Sequence, residues 1–313
     1  MKLFALDPLW NELFNDTHGE LLKNAGLELE VISEIVPMQE IESLYEGDQD
    51  RILLINPDFV GWSITTDAYK NIPNLKGIVL ESTSFSYVDT SYADEKGIPV
   101  ANIRNFVTES VAEWTMMMML ATARKIPLML KAGFPLNFGS DFITYKGFDL
   151  KDKTIGIIGL GNIGSALGAL AQGIGMNVKY WSKSTRSASY QYCELDEIFS
   201  SCDVVVPVMA SNDDTNKLIS DKHILSMKND AIFIAVTHRD YNHDLLLKRV
   251  ANNELFGYAF EDETPENFNK YDGNVWAAPQ YAWTTDNSLR NSMDKSIEAV
   301  VSMAKGDIPN KVN

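Results

Sequence analysis

The sequence predicts an α/β protein: parallel sheets with helices on their faces, in a chain long enough for two domains. Three observations carry that expectation. Short β-branched runs recur without polar alternation, as strands buried on both faces do, and helical stretches separate them. One of these runs opens directly into a glycine-rich turn and an Ala/Leu-rich helix. Finally, 313 residues, 45% of them hydrophobic and 22% charged, can bury the cores of two domains of ordinary size.

Taken in order, strands are expected at LFAL (3–6), RILLI (51–55), GIVL (77–80), TIGIIG (154–159), NVKYW (177–181), DVVVPV (203–208), AIFIAV (231–236) and NVWAA (274–278). The most apolar segment, TMMMMLATA at 115–123, is far short of the roughly 20 residues that a membrane-spanning helix requires. It reads as a buried or subunit-facing helix. Residues 133–153, rich in Gly, aromatic and charged side chains, read as a loop wrapped on a surface between a long helix and a fresh strand. No internal repeat or low-complexity tract interrupts the pattern.

Charge and composition exclude several functions. A net charge of −16 and a pI near 4.7 argue against nucleic-acid or anionic-membrane partners, which need a clustered cationic surface. Cys193 and Cys202 make neither a disulfide framework nor a metal-ligand spacing, and the four histidines form no ligand set. A reducing, cytoplasmic setting is expected. The amino terminus, with LFAL followed by Asp7, lacks the long apolar region and small-residue cleavage site of a secretory leader.

The strongest local motif is Gly159-Leu160-Gly161-Asn162-Ile163-Gly164, between a strand and a helix. That context turns a common spacing into a dinucleotide-site candidate. Gly159 permits the tight turn, Gly161 lets the backbone approach a pyrophosphate, and Gly164 lets helix and strand pack closely. Asn162 and Ile163 bring the first N–H groups of the helix to the phosphates. A purely structural glycine turn would share the spacing. NAD sites usually carry an acid at the end of the next strand; here NVKYW runs into Ser182-Lys183-Ser184-Thr185-Arg186. Hydroxyls and two cations without a carboxylate suit a 2′-phosphate, so NADP is expected before NAD. A solvated basic turn that simply lacks the acid is the alternative.

These residues carry a resemblance that covers nearly the whole chain. The run from LKGIVLESTSFSYVDTSYADEKGIPVANIRNF through VTESVAEWTMMMMLATARKIP, then DLKDKTIGIIGLGNIG, DEIFSSCDVVVPV and the closing IPNKVN resemble the D-2-hydroxyacid dehydrogenase family. Val111-Ala112-Glu113, followed by a helix ending in Ala123-Arg124-Lys125, is a specific marker at this distance before the glycine loop. The resemblance implies two doubly wound, Rossmann-type domains, with the nucleotide domain (102–285) inserted into a substrate domain (1–101 plus 286–313). It also implies an active site in the cleft between them, a small carbonyl or hydroxy substrate, and a homodimer contacting through the helix that begins at Val111.

Against the family pattern the catalytic corner departs. There, the strand corresponding to AIFIAV is followed by a small residue beside the cofactor, an Arg that grips the substrate carboxylate, and a Gly. Without gaps, and with Leu247 holding the register, Thr237 takes the small position, His238 that of the Arg and Arg239 that of the Gly. The family's proton-transferring His follows a Pro; here Gln280 follows Pro279, and an amide cannot act as acid or base near neutral pH. Glu263, in Glu261-Asp262-Glu263-Thr264-Pro265, best matches the carboxylate that orients that His. By resemblance, Thr83 and Ser84 stand in the loop whose N–H groups meet the substrate carboxylate. Trp283 replaces a usually small residue, which implies a more aromatic cleft.

Reducing a 2-oxo acid needs a hydride, a proton on the carbonyl oxygen and a cation against the carboxylate. A His in place of Arg is shorter and only partly charged, and Gln280 can polarise a carbonyl but not protonate it. Two readings therefore stand: an NADP-dependent oxidoreductase with an altered substrate, using His238, Glu263, Gln280 and Arg239, or a catalytically silent nucleotide binder acting through a partner. Hydride transfer discriminates between them.

Overall fold

The computed structural model describes residues 1–133, 139–184, 189–209, 215–237, 240–262 and 270–313. The chain forms two compact units, Met1–Val107 with Thr285–Asn313, and Thr108–Thr284.

The first unit contains β1 (Lys2–Leu6), β2 (Glu28–Ile32), β3 (Arg51–Ile55), β4 (Leu75–Leu80) and β5 (Val100–Asn102). They pair in parallel in the order β2-β1-β3-β4-β5, one of the two common doubly wound orders. Every residue of β3 is buried, whereas β2 at the edge is partly exposed throughout; a central strand is covered on both faces and needs an unbroken apolar run. Side chains alternate between two cores. Phe4, Leu6, Leu53 and Ile55 face one; Leu3, Ala5, Ile52, Leu54 and Val79 face the other. The second core is closed by Met293, Ile297, Val300 and Met303 of the last helix, Asp286–Ala304. That helix lies so close that a Cβ on Gly77 would stand 2.2 Å from Met303 Sδ. The Thr285 side chain accepts from Ser288 N and caps its start.

The second unit contains β6 (Thr154–Ile158), β7 (Asn177–Trp181), β8 (Gln191–Tyr192), β9 (Val204–Pro207), β10 (Ile232–Ala235), β11 (Gly257–Asp262) and β12 (Val275–Pro279). Its order is β12-β11-β10-β9-β6-β7-β8, parallel throughout. The order in which successive strands are added reverses between β6 and β9, the switch point where such sheets receive nucleotides. TMMMMLATA forms the end of the helix Thr108–Ala123, which buries Met116, Met118, Met119 and Ala123. The buried Asn274 amide donates to the carbonyls of Thr122 (2.9 Å) and Phe256 (3.1 Å), tying that helix to the sheet. The stretch expected as a surface loop carries a short helix, Ser140–Thr144, that buries none of its residues.

Candidate nucleotide and substrate site

The glycine turn has three different physical constraints. Gly159 has φ +104°, and a Cβ there would meet Met209 N at 2.8 Å, so the turn presses against the segment following β9. A Cβ on Gly164 would stand 2.1 Å from Gly159 O, a contact only glycine avoids. Gly161 is different: its Cβ would meet nothing within 4 Å. Protein packing therefore does not require glycine at 161, and the space before the helix Asn162–Gly173 is open. The first turn of that helix, through Asn162 and Ile163, points N–H groups into this space. The open cradle fits the pyrophosphate of a dinucleotide.

Ser182 follows β7, the immediate neighbour of β6, with Trp181 in register with Ile158. It is buried, and its hydroxyl donates to Ser184 O, curling the segment while Lys183 and Ser184 are exposed. No acid lies among these three residues. Arg186 lies outside the described residues. Two residues past β10, Thr237 Oγ1 is buried and has no hydrogen-bond partner among the described residues, an orphan that a ligand can satisfy. Gly159, Gly161, Asn162, Ile163, Gly164, Ser182, Lys183, Ser184 and Thr237 thus follow strands along one carboxyl edge of this sheet.

Gln280 lies on the same edge, directly after β12, and is half-buried. The turn it opens is fixed by Glu261, which the sequence did not single out. Glu261 is 9% exposed, and its Oε1 accepts from Ala282 N at 2.8 Å. Tyr281 N to Pro279 O (2.8 Å) and Thr284 N to Tyr281 O (3.0 Å) complete the turn that carries the half-buried Trp283. A carboxylate inside the otherwise buried run GYAFED was the available signal. Glu263, His238 and Arg239 lie outside the described residues. Just beyond His238 and Arg239, Asp240 accepts from Lys217 N, and Tyr258 OH bonds both Tyr241 OH (2.8 Å) and His243 Nδ1 (2.9 Å). Burial lowers the His243 pKa below its ordinary value.

In the first unit, Thr83 and Ser84 are exposed on the loop after β4. Asn102 Nδ2 donates to Thr83 O (2.6 Å) and Ser82 Oγ to Ser84 O (2.7 Å), so both carbonyls are held by the protein itself. Neither Thr83 N–H nor Ser84 N–H forms a hydrogen bond within the described residues. In the second unit, the outer side of the helix Thr108–Ala123 carries Met117 and Leu120, 37% and 43% exposed. With Met116, Met129 and Leu170 they line an open, largely apolar groove of about 750 Å³. Both cysteines are buried, and burial pushes their thiols up to about 11. Among the described residues no His/Cys/Asp/Glu group could hold a metal, and no helix is long and apolar enough to cross a membrane.

Residues 116–285 match the family described as D-isomer specific 2-hydroxyacid dehydrogenase, NAD binding domain. The chain is 27% identical over 261 residues to a hydroxypyruvate reductase of Blautia hydrogenotrophica, covering 79% of this chain and 81% of that protein. It is 30% identical over 244 residues to a D-specific alpha-keto acid dehydrogenase of Enterococcus faecium, covering 72% and 74%. An acyclic imino acid reductase solved with NADPH and D-Arg has the same fold over 100% of both chains, at a TM-score of 0.78 and 22% identity.

Proposed function

The chain belongs to the D-isomer-specific 2-hydroxyacid dehydrogenase family, NAD(P)-dependent oxidoreductases acting between hydroxyl and carbonyl groups, and from that premise we propose an NADP-preferring reductase with an altered catalytic corner. The observation that carries the cofactor choice is the segment after β7, where Ser182, Lys183 and Ser184 stand without an acid beside the glycine turn. Lys183, with Arg186, pairs with a 2′-phosphate, and charge-assisted hydrogen bonds of this kind contribute about 1.5–3 kcal/mol each. The unit Thr108–Thr284 binds the nucleotide and the unit Met1–Val107 with Thr285–Asn313 recognises the substrate.

The nicotinamide, when bound, supplies the hydride. The residues of this chain do the rest. Thr83 and Ser84 offer N–H groups to a substrate carboxylate, and His238, with Arg239 beside it, supplies positive charge in place of the usual Arg. Gln280 donates an amide N–H to the substrate oxygen and so polarises it. Glu261 holds the Gln280 turn, Glu263 orients the polar groups around it, and Trp283 narrows the space beyond. Because Gln280 holds no transferable proton, reduction of an ordinary 2-oxo acid loses the general-acid contribution, about 10²–10⁴ in rate. The groove on the helix Thr108–Ala123 is the homodimer contact, and a cytosolic setting keeps both thiols reduced.

Two measurements test this. Calorimetric titration is expected to give tighter binding of NADPH than NADH, and equal affinities sink the cofactor assignment. Glyoxylate, pyruvate and hydroxypyruvate are expected to turn over far below the typical enzyme value of about 10 s⁻¹. A rate near that value on any of them means that Gln280 does not stand at the proton-donor position. Complete absence of hydride transfer to any carbonyl, with NADPH still bound, favours the nucleotide-binding role without catalysis.

A further inference from the structure

Beneath the Thr83–Ser84 loop the first unit holds two buried carboxyl groups with no cation beside them among the described residues. Leu6, Ile55 and Leu80 end β1, β3 and β4 in register, so Asp7, Asn56 and Glu81 stand side by side at the carboxyl edge. Each continues the ladder by one bond: Asp7 N to Ile32 O at 3.1 Å, Asn56 N to Leu6 O at 2.9 Å and Glu81 N to Ile55 O at 2.9 Å. They are 0%, 7% and 6% exposed.

The donors at hand do not suffice for two carboxylates. Leu9 N (2.8 Å) and Asn56 Nδ2 (3.1 Å) both go to Asp7 Oδ1. Asn56 Nδ2 also reaches Glu81 Oε2 (3.4 Å), and Ser292 Oγ of the last helix donates to Glu81 Oε1 (2.7 Å). Asp7 Oδ2 is left buried with no donor among the described residues. Among the described residues no positive charge makes up the difference. Lys2, Arg51 and Lys76 sit at the opposite ends of β1, β3 and β4. On the last helix Arg290 pairs with Asp286 and Lys295 with Glu298, while Asp294 pairs with His18 of the packed helix. Arg104 binds Asn102 Oδ1. The remaining neighbours are the Asp58 carboxylate, which adds negative charge, and the Tyr87 phenol, held above its ordinary range by burial.

We infer that Asp7 and Glu81 hold one proton between them, carried on Glu81 and donated to the orphaned Asp7 Oδ2, and that this proton keeps the Ser82–Ser84 loop in place. Two like charges buried in contact cannot both ionise near neutral pH. Burial, then the charge of Asp7, pushes Glu81 from its ordinary 4.5 up to about 8. The peptide link from Glu81 to Ser82 transmits the consequence. Once the proton leaves, the relief open to Glu81 is to swing toward water, which pulls on Ser82, whose hydroxyl holds Ser84 O and Tyr87 OH. The sign follows from linkage: the folded chain keeps a proton that the unfolded chain releases, so stability falls as pH rises from about 4.5 to about 8.

This inference rests only on the first unit and is independent of cofactor and substrate. Its test is an infrared titration of the protein with a parallel melting series between about pH 5 and pH 10. The wild-type spectrum is expected to show the C=O stretch of a buried protonated carboxylic acid at pH 7, lost above about pH 8. Glu81→Gln, whose amide replaces the shared proton as a donor, lacks that band. It is expected to melt several degrees above wild type at high pH and to lose the downward slope. Protection of the 82–86 peptide from hydrogen exchange, taken relative to the intrinsic base-catalysed rate, is expected to fall above about pH 8 in wild type only. Should Glu81→Gln not fold, Asp7→Asn decides: the band remains and its disappearance moves to lower pH. A wild-type spectrum without a protonated carboxyl at pH 7, or parallel melting slopes, overturns the proposal.

Discussion

The two parallel sheets follow one architectural rule and finish their carboxyl edges in opposite ways. In the second unit the strand exits carry glycine and hydroxyls: Gly159 and Ser182 stand next after β6 and β7, and Thr237 stands two residues past β10, with open space at Gly161 and, among the described residues, an unsatisfied buried hydroxyl at Thr237. In the first unit the residues next after β1, β3 and β4 are Asp7, Asn56 and Glu81, and they fill the edge with one another. The sheet alone therefore does not make a nucleotide site. The side chains at each strand's exit decide whether the edge is left open for a ligand or closed by the protein's own polar groups.

Substitution at the bare glycine breaks the comparison most severely. Gly161→Asp places a carboxylate in the cradle where a Cβ meets no protein atom, so the melting temperature is expected to hold while NADPH binding disappears in calorimetry. The added negative charge also occupies the helix N-terminus that would otherwise favour phosphate. Binding that survives this change would mean that the open edge is not the nucleotide site. Gly164→Val is the contrast, because its side chain collides with Gly159 O and is expected to cost folding itself.

A smaller effect, in the opposite direction, comes from rebuilding the catalytic corner proposed above. Gln280→His supplies a proton donor, and His238→Arg with Arg239→Gly supplies the carboxylate clamp. Because an acid helps only a substrate already positioned, the triple variant is expected to gain about 10²–10⁴ in NADPH-dependent reduction of hydroxypyruvate, more than its parts combined. Steady-state rates of parent, single, double and triple variants check it. A folded, NADPH-binding triple variant no faster than the parent would falsify the assignment of these positions.

The smallest expected change is a selective one. Lys183→Ala should weaken NADPH by about 1.5–3 kcal/mol and leave NADH nearly unchanged, measured as two dissociation constants on one protein sample. Equal weakening of both would move Lys183 away from the 2′-phosphate and make it a general contact of the edge.

Legibility of these features followed how local their causes are. Apolar runs marked β1, β3, β4, β6, β9, β10 and β12, since a strand buried on both faces must be written in consecutive residues, while NVKYW marked β7, which is buried only at alternate positions. β11 was missed because GYAFED mixes Gly, Tyr and acids, although five of its six residues are buried. β2 is an alternating edge, and β5 and β8 are only three and two residues long. The glycine turn was legible for the same reason as the strands: its three constraints lie within six consecutive residues. Glu261 and the Asp7–Glu81 pair were not, because their partners come from other strands and helices and exist only once the sheet has assembled. The family pattern located Gln280, but nothing in its neighbours announced that a buried carboxylate on β11 holds its turn.

The last helix has a consequence for how the chain is made. One face of the first sheet, with Leu3, Ile52 and Val79, is covered by Met293, Ile297, Val300 and Met303, side chains whose burial contributes about 1.5–3 kcal/mol each. Those residues leave the ribosome after the whole of Thr108–Thr284 has been translated. At the usual elongation rate of about 5–20 residues per second, the delay is on the order of ten seconds or more. During that interval the earliest-made sheet waits with an apolar face uncovered, while the contiguous second unit has everything it needs to fold. The unit begun first is thus the one finished last.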